Sequence, residues 1–205
     1  MTTVLLIRHA SNDYLKDNRM AGLKAGVHLN EQGQREADAL ARRLGSIALA
    51  AIYSSPLERA RETAQAIAQS QKLVVQIHPG LIEVDVGDWT DRQIAELQAT
   101  DAWKQMQARP LDFCFPNGES NAMMHARIVA TIDALVAAHP QQTIALVSHA
   151  DPIKIALAHY LGMNLNDFER LAIEPASVSV LQFDQCGVVL SRLNDTGQLD
   201  VRKEE

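Results

Sequence analysis

Cysteine is scarce in this chain: only Cys114 and Cys186 occur among 205 residues, far apart and in no Cys-x-x-Cys or Cys/His cluster. That excludes a disulfide framework and a sequence-readable metal site, leaving buried free thiols as the expectation. Long apolar runs are also missing, since none reaches the roughly 18 to 20 residues that spanning a bilayer requires. The apolar start Met1 to Ile7, closed by Arg8, lacks the basic opening and small-residue cleavage site of a secretion signal. A cytoplasmic location with no membrane partner is expected. Positive charge is in deficit, with a net −6 and no track of Lys and Arg interleaved with aromatics, so no nucleic-acid partner is expected either. A small anionic ligand stays admissible, because a few arginines converging on a pocket make it locally positive whatever the net charge.

What the chain does have is a regular alternation of short apolar runs and helical patterns. Val4 to Ile7, Ala50 to Tyr53, Leu73 to Ile77 and Thr143 to Val147 read as strands. Helical spacing covers Asn30 to Leu44 behind an Asn30 cap, a stretch reaching about Ser70 behind Ser55-Pro56, Thr90 to Gln107, Asn121 to Ala138, and Asp151 to Leu161 ending at Gly162. Pro79 to Trp89 has neither period and reads as a loop. Ser177 to Phe183 and Val188 to Leu193 read as a terminal hairpin or edge strands, and Gln198 to Glu205 as a frayed tail. The expectation is a single α/β domain over residues 1–205, a three-layer sandwich whose mainly parallel central sheet is flanked by helices.

Two segments repeat one pattern. Val4-Leu5-Leu6-Ile7-Arg8-His9-Ala10 and Ile144-Ala145-Leu146-Val147-Ser148-His149-Ala150 both read apolar strand, polar residue, His, Ala. Ligands of open α/β sheets bind beyond the carboxyl ends of the strands, so adjacent strands would bring both imidazoles into one crevice. Arg59, just beyond the strand end Ile52 to Ser54, completes a set of two His and two Arg with Arg8. Two guanidinium forks suit the oxygens of a tetrahedral phosphoryl group, and nearby positive charge disfavours imidazolium. A neutral His9 keeps a lone pair for in-line attack on phosphorus, with no metal required if the arginines neutralise the charge. Glu83 or Asp85 is then the candidate proton donor to the leaving oxygen.

Over nearly its whole length the chain resembles the histidine phosphatase superfamily, the phosphoglycerate-mutase-like proteins. Leu6-Ile7-Arg8-His9 is similar to its opening signature and Leu29-Asn30-Glu31-Gln32-Gly33-Gln34-Arg35-Glu36-Ala37 to the helix entry that follows. Ser54-Ser55-Pro56-Leu57-Glu58-Arg59-Ala60-Arg61-Glu62-Thr63-Ala64 is the most specific match. Leu81 to Trp89, Pro116-Asn117-Gly118-Glu119-Ser120 and Val147-Ser148-His149 follow in the family's order. The resemblance implies that His9 is the nucleophile, that Arg8, Arg59 and His149 bind the phosphoryl oxygens, and that Glu83 rather than Asp85 is the proton donor. It implies a small phosphorylated substrate and no cofactor.

The chain departs from the family at particular places. Ala10 and Ala150 stand where a glycine usually follows each histidine, Ser11-Asn12 replaces the usual Glu/Gln-Thr pair, and Leu15 and Ala21 replace a common asparagine and glutamine. Asn12 and Ala150 are therefore added as candidate substrate contacts, and the segment 90–120 as a substrate cap. Hydrolysis of small phosphorylated metabolites is the expected activity; phosphoglycerate-type mutase activity and a non-catalytic phosphate-binding domain are the alternatives. His28, His78, His125, His139 and His159 are assigned no chemistry, and a homodimer is left open.

Overall fold

The computed structural model describes residues 1–197; the expected frayed tail from Gln198 lies outside them. Strands β1 (Thr2–Arg8), β2 (Ala51–Ser54), β3 (Val75–Ile77), β4 (Thr143–Ser148), β5 (Val178–Asp184) and β6 (Gly187–Asp195) form a six-stranded sheet in the order β3-β2-β4-β1-β5-β6. The β3-β2-β4-β1 portion is parallel, while β5 pairs antiparallel with β1 and β6 with β5. The mainly parallel sheet is thus a mixed one, and the terminal hairpin extends it from β1.

Side chains alternate across the two faces, as the period-2 geometry of a strand requires. Leu5 and Ile7 of β1 and Ala145 and Val147 of β4 pack with Leu40 of α2 (Glu31–Leu44) and Ala64 and Ile67 of α3 (Glu58–Gln71). On the other face Val4, Leu6, Ile144 and Leu146 meet Ile128 and Ile132 of α6 (Asn121–Ala138) and Ile153 of α7 (Ala150–Tyr160). Both faces of these central strands are covered, which is why they read as unbroken apolar runs. None of the helices among the described residues is long and apolar enough to cross a membrane.

The remaining α-helices among the described residues are short: α1 (Asp13–Lys16) before α2, and α4 (Ile94–Gln98) and α5 (Asp101–Ala108) before α6. The single helix expected over Thr90 to Gln107 is two. Thr100 separates them, its hydroxyl donating to the Leu97 carbonyl at 2.6 Å while its oxygen accepts the Trp103 N–H at 3.2 Å. A threonine that bonds the backbone on both sides closes one helix and caps the next. The Ser55-Pro56 pair likewise does not cap α3: the cap position is Leu57, without a side-chain bond, and Ser55 is used elsewhere. The two thiols are free but exposed, not buried, because Cys114 lies in a surface loop and Cys186 in the β5–β6 turn.

The loop after β1 is fixed by α2. Asn30 caps that helix through the Gly33 N–H at 2.9 Å, and the Glu36 carboxylate accepts the Ser11 N–H and hydroxyl at 2.8 and 3.0 Å. Gly33 lets the two approach, since a Cβ there would stand 1.9 Å from the Ser11 carbonyl oxygen. Alanine is the better helix former by about 1 kcal/mol, yet the clash with backbone should outweigh that. Gly33→Ala is therefore expected to lose about 1–3 kcal/mol of stability in urea unfolding, the reverse of its helix propensity; a stabilised variant would contradict this packing.

Candidate active site

Three adjacent strands end at one place. The parallel register pairs Ile7 with Val147 and Arg8 with Ser148, so the next residues, His9 and His149, emerge side by side. Their rings lie edge to face with centroids 5.1 Å apart. On the far side of β4, the Ser55 N–H reaches the Val147 carbonyl at 2.9 Å, placing the first residue after β2 beside His149. Arg59, from the first turn of α3, is 2% exposed and directs its Nε to His9 Nε2 at 3.3 Å and its Nη2 to the Gly22 carbonyl at 2.8 Å.

Hydrogen bonding settles the His9 tautomer and orients the His149 ring. His9 Nδ1 lies 2.8 Å from the Ala10 carbonyl oxygen, which only accepts; Nδ1 therefore carries the proton and Nε2 the lone pair. Ser55 Oγ accepts the Leu57 N–H at 3.3 Å and sits 2.7 Å from His149 Nε2; its hydroxyl can donate to that nitrogen, which leaves Nδ1, facing the Glu83 carboxyl at 3.9 Å, to carry the proton. His149 Nδ1 is then an N–H donor, buried and without a hydrogen-bond partner among the described residues. Burial, followed by the positive charge of Arg59 and then Arg8, holds the His9 imidazole well below its ordinary range. The same causes, burial first, do so for His149. Both rings stay neutral.

The Pro79 to Trp89 segment carries two short 3-10 turns, with Glu83 between them. Arg127 of α6 holds its backbone: Nη1 donates to the Gly80 and Ile82 carbonyls at 2.9 Å each, and Nη2 to Glu119 at 2.8 Å. Glu83 is mostly buried, 3.9 Å from His149 Nδ1, and accepts the N–H of Val84 at 3.0 Å. Its carboxyl is pushed up to about 7, chiefly by burial and then by the nearby Asp151 charge, against the opposing pull of Arg59. Asp85, the other sequence candidate, is committed to a local turn, its Oδ1 accepting the Gly87 N–H at 3.0 Å.

These groups surround a pocket of about 450 Å³ lined by Arg8, His9, Asn12, Arg59, Glu83 and Ala150 among others. His149 lies behind its surface, fully buried. Asn12 lines the pocket and uses its Oδ1 to cap α1 through the Leu15 N–H at 3.0 Å. Of the segment 90–120 only Ile94 lines the pocket. Trp89, Trp103, Phe113 and Phe115 stack on one another and none of them lines it; they anchor their loops. Sequence reasoning missed Ser55, which it took for a helix cap, and Gly22, whose carbonyl positions Arg59. It also missed the wall formed by Asp151, Lys154 and Glu169.

Three buried donors at the site have no hydrogen-bond partner among the described residues: Arg8 Nε, Arg59 Nη1 and His149 Nδ1. A profile of the histidine phosphatase superfamily (branch 1) matches residues 4–196. The chain belongs to the histidine phosphatase superfamily. It is 31% identical to phosphoserine phosphatase 1 of Hydrogenobacter thermophilus over 97% of this chain and 95% of that one. Among solved structures it is similar to a phosphoserine phosphatase variant of Entamoeba histolytica in complex with phosphoserine, with TM-score 0.88, 25% identity and coverage of 96% and 98%. A mycobacterial glucosyl-3-phosphoglycerate phosphatase complexed with VO3 gives TM-score 0.86, 26% identity and coverage of 94% and 98%.

Within this histidine phosphatase, Ala10 is fully buried and its N–H donates to Thr63 Oγ1 at 3.0 Å, while Ala150 opens α7. A side chain is thus accommodated at each usual glycine. Glu83 has a consequence for stability. A carboxyl raised from 4.5 to about 7 keeps a proton in the folded state that the unfolded chain has already released, so stability falls as pH rises through that window. Glu83→Gln should unfold at a higher temperature than the parent above pH 7, with the gain shrinking toward pH 4.5; a gain independent of pH would contradict the assignment.

Proposed function

We propose that this protein hydrolyses phosphomonoesters of small metabolites through a phosphohistidine on His9. The observation that carries the reading is the set of unpartnered donors, Arg8 Nε, Arg59 Nη1 and His149 Nδ1, around a neutral imidazole whose Nε2 lone pair is free of a proton. Leaving buried donors unmet costs roughly 1–3 kcal/mol each, a cost that an arriving phosphoryl group removes. A tetrahedral dianion offers three non-bridging oxygens, and these donors, with the N-terminal end of α7 at Ala150, complement them.

In the first step the Nε2 lone pair forms a bond to phosphorus in line with the departing oxygen. As the P–O bond breaks, Glu83 gives its proton to that oxygen. The Nδ1–H bond to the Ala10 carbonyl keeps the ring oriented and accommodates the positive charge that develops on it. In the second step water attacks phosphorus, the Glu83 carboxylate takes its proton, and the P–N electron pair returns to Nε2. Arg8 and Arg59 stay charged throughout and neutralise the equatorial oxygens, so the cycle draws its electrostatic stabilisation from the chain's own cations.

The remaining assignments follow from position. Asn12 Nδ2 and the Ala150 backbone are substrate contacts at the pocket floor. The segment 90–120 caps the site indirectly within this catalytic domain: Asp91 binds the Tyr14 hydroxyl at 2.5 Å and pairs with Lys24, strapping the loop after α1 over the pocket. Two exposed, unpaired thiols suit a cytoplasmic setting.

The test is hydrolysis of 4-nitrophenyl phosphate, expected to be vanadate-sensitive, resistant to EDTA and abolished in His9→Ala. Retained turnover in that variant would overturn the reading. The pH profile has a defined sign: kcat/KM should fall as pH rises through about 7, where Glu83 loses its proton, and hold below 6.5 because His9 stays neutral. Glu83→Gln should lose about 10²–10⁴-fold with an alkyl phosphate, whose leaving oxygen needs the proton, and much less with 4-nitrophenyl phosphate. Equal losses on both would remove Glu83 from the acid role.

A further inference from the structure

One wall of the pocket carries charges that touch neither the phosphoryl group nor the nucleophile in the proposed steps, although one of them, Asp151, also acts on Glu83. Asp151 and Lys154 come from α7 and Glu169 from the 3-10 turn Leu165–Arg170; all three line the pocket. Lys154 Nζ lies 3.2 Å from Asp151 Oδ1 and 2.6 Å from Glu169 Oε2. The lysine is shared, and the wall keeps an excess of one negative charge. Asp151 Oδ2 and Glu169 Oε1 make no hydrogen bond among the described residues, and both side chains are partly open to solvent, at 29% and 41%. Much of the lining beyond the phosphoryl site is apolar, including Leu15, Met20, Ile94 and Leu171.

We propose that this wall selects phosphomonoesters whose leaving group carries an ammonium, received by the free oxygens of Asp151 and Glu169. A carboxylate has more acceptor positions than the shared lysine occupies, so an ammonium adds hydrogen bonds without breaking the existing ones. A second anionic group placed there would face the excess negative charge. Lys154 sets the strength of the selection, because it neutralises one of the two carboxylates. Arg19 also lines the pocket, but its Nε and Nη2 are committed to the Asp91 carbonyl at 3.2 and 3.0 Å. The inference rests on the phosphatase reading and adds its substrate class.

Phosphoserine and 3-phosphoglycerate provide the test, because they share a carboxylate and differ in an ammonium against a hydroxyl. Any contribution of Arg19 cancels in their ratio of kcat/KM values. The intact protein should favour phosphoserine by about tenfold, a ratio that a partly solvated ion pair can supply. Glu169→Gln should lower the ratio about fivefold while phenyl phosphate turnover shifts less than about twofold, and Lys154→Gln should raise the ratio, in which any effect on Glu83 cancels. Asp151 is left intact, because its charge also acts on Glu83. A merely structural brace would move all three substrates together and could not shift the ratio in opposite directions in the two variants. A ratio near one in the intact protein, or variants that change every substrate equally, would overturn the inference while leaving the phosphatase reading in place. Absence of phenyl phosphate turnover in the intact protein would overturn both.

Discussion

Arg59 is a charged side chain at 2% exposure, with one nitrogen on His9, one on a backbone carbonyl and one on nothing. Burying a guanidinium beside a second one, Arg8, creates a positive field in a region that water cannot screen well. Much of the site's chemistry follows from that field. Burial first, and then this field, keep both imidazoles neutral, which preserves the His9 lone pair and leaves His149 a donor. The same field opposes the rise of the Glu83 carboxyl, so burial and Asp151 bring that group only to about 7, where it can both give and take a proton. The arrangement is unfavourable when empty and suited to an anion.

Such a site must be held by its surroundings, and the sheet does most of that. The parallel register of β1 and β4 places His9 against His149, and β2 brings Ser55 to the other side of β4. The remaining parts are tied in from the outside. Glu36 and Gly33 of α2 fix the loop after β1, the Gly22 carbonyl fixes Arg59, and Arg127 with Glu119 fixes the backbone that carries Glu83. Each tie is a bond between elements distant in sequence. The substrate end of the pocket is built differently, from the strapped loop after α1 and from side chains on α7 and the turn that follows it.

That division explains how much could be read from the sequence. The strand-His-Ala pattern was legible because a parallel strand buried on both faces shows as an unbroken apolar run, and the residue after it sits at the ligand-binding edge. Arg59 was legible from its place just beyond a strand end, and the resemblance preferred Glu83 over Asp85. Ser55 was not: next to Pro56 it has the local signature of a helix cap, and only the strand order reveals that His149 is its partner. Thr100 shows the same competition, with a side-chain bond dividing a helix that the apolar spacing had made continuous. Asn12, read as a candidate substrate contact, uses its Oδ1 to cap α1. Asp151, Lys154 and Glu169 look like ordinary surface charges in one dimension, since their shared pairing depends on how α7 meets the Leu165–Arg170 turn. The exposed thiols were misjudged because cysteine's usual burial says nothing about a particular loop.

The central claim is that the phosphoryl group passes through Nε2 of His9, whose tautomer is set by the Ala10 carbonyl. Rapid acid-free quenching during turnover, followed by phosphorus-31 resonance and tandem mass spectrometry of the chain, tests it most directly. The account predicts an acid-labile phosphoryl group bonded to Nε2 of His9, formed and lost at rates compatible with turnover. A phosphoryl group on Nδ1, on another residue, or absent while hydrolysis proceeds would contradict it.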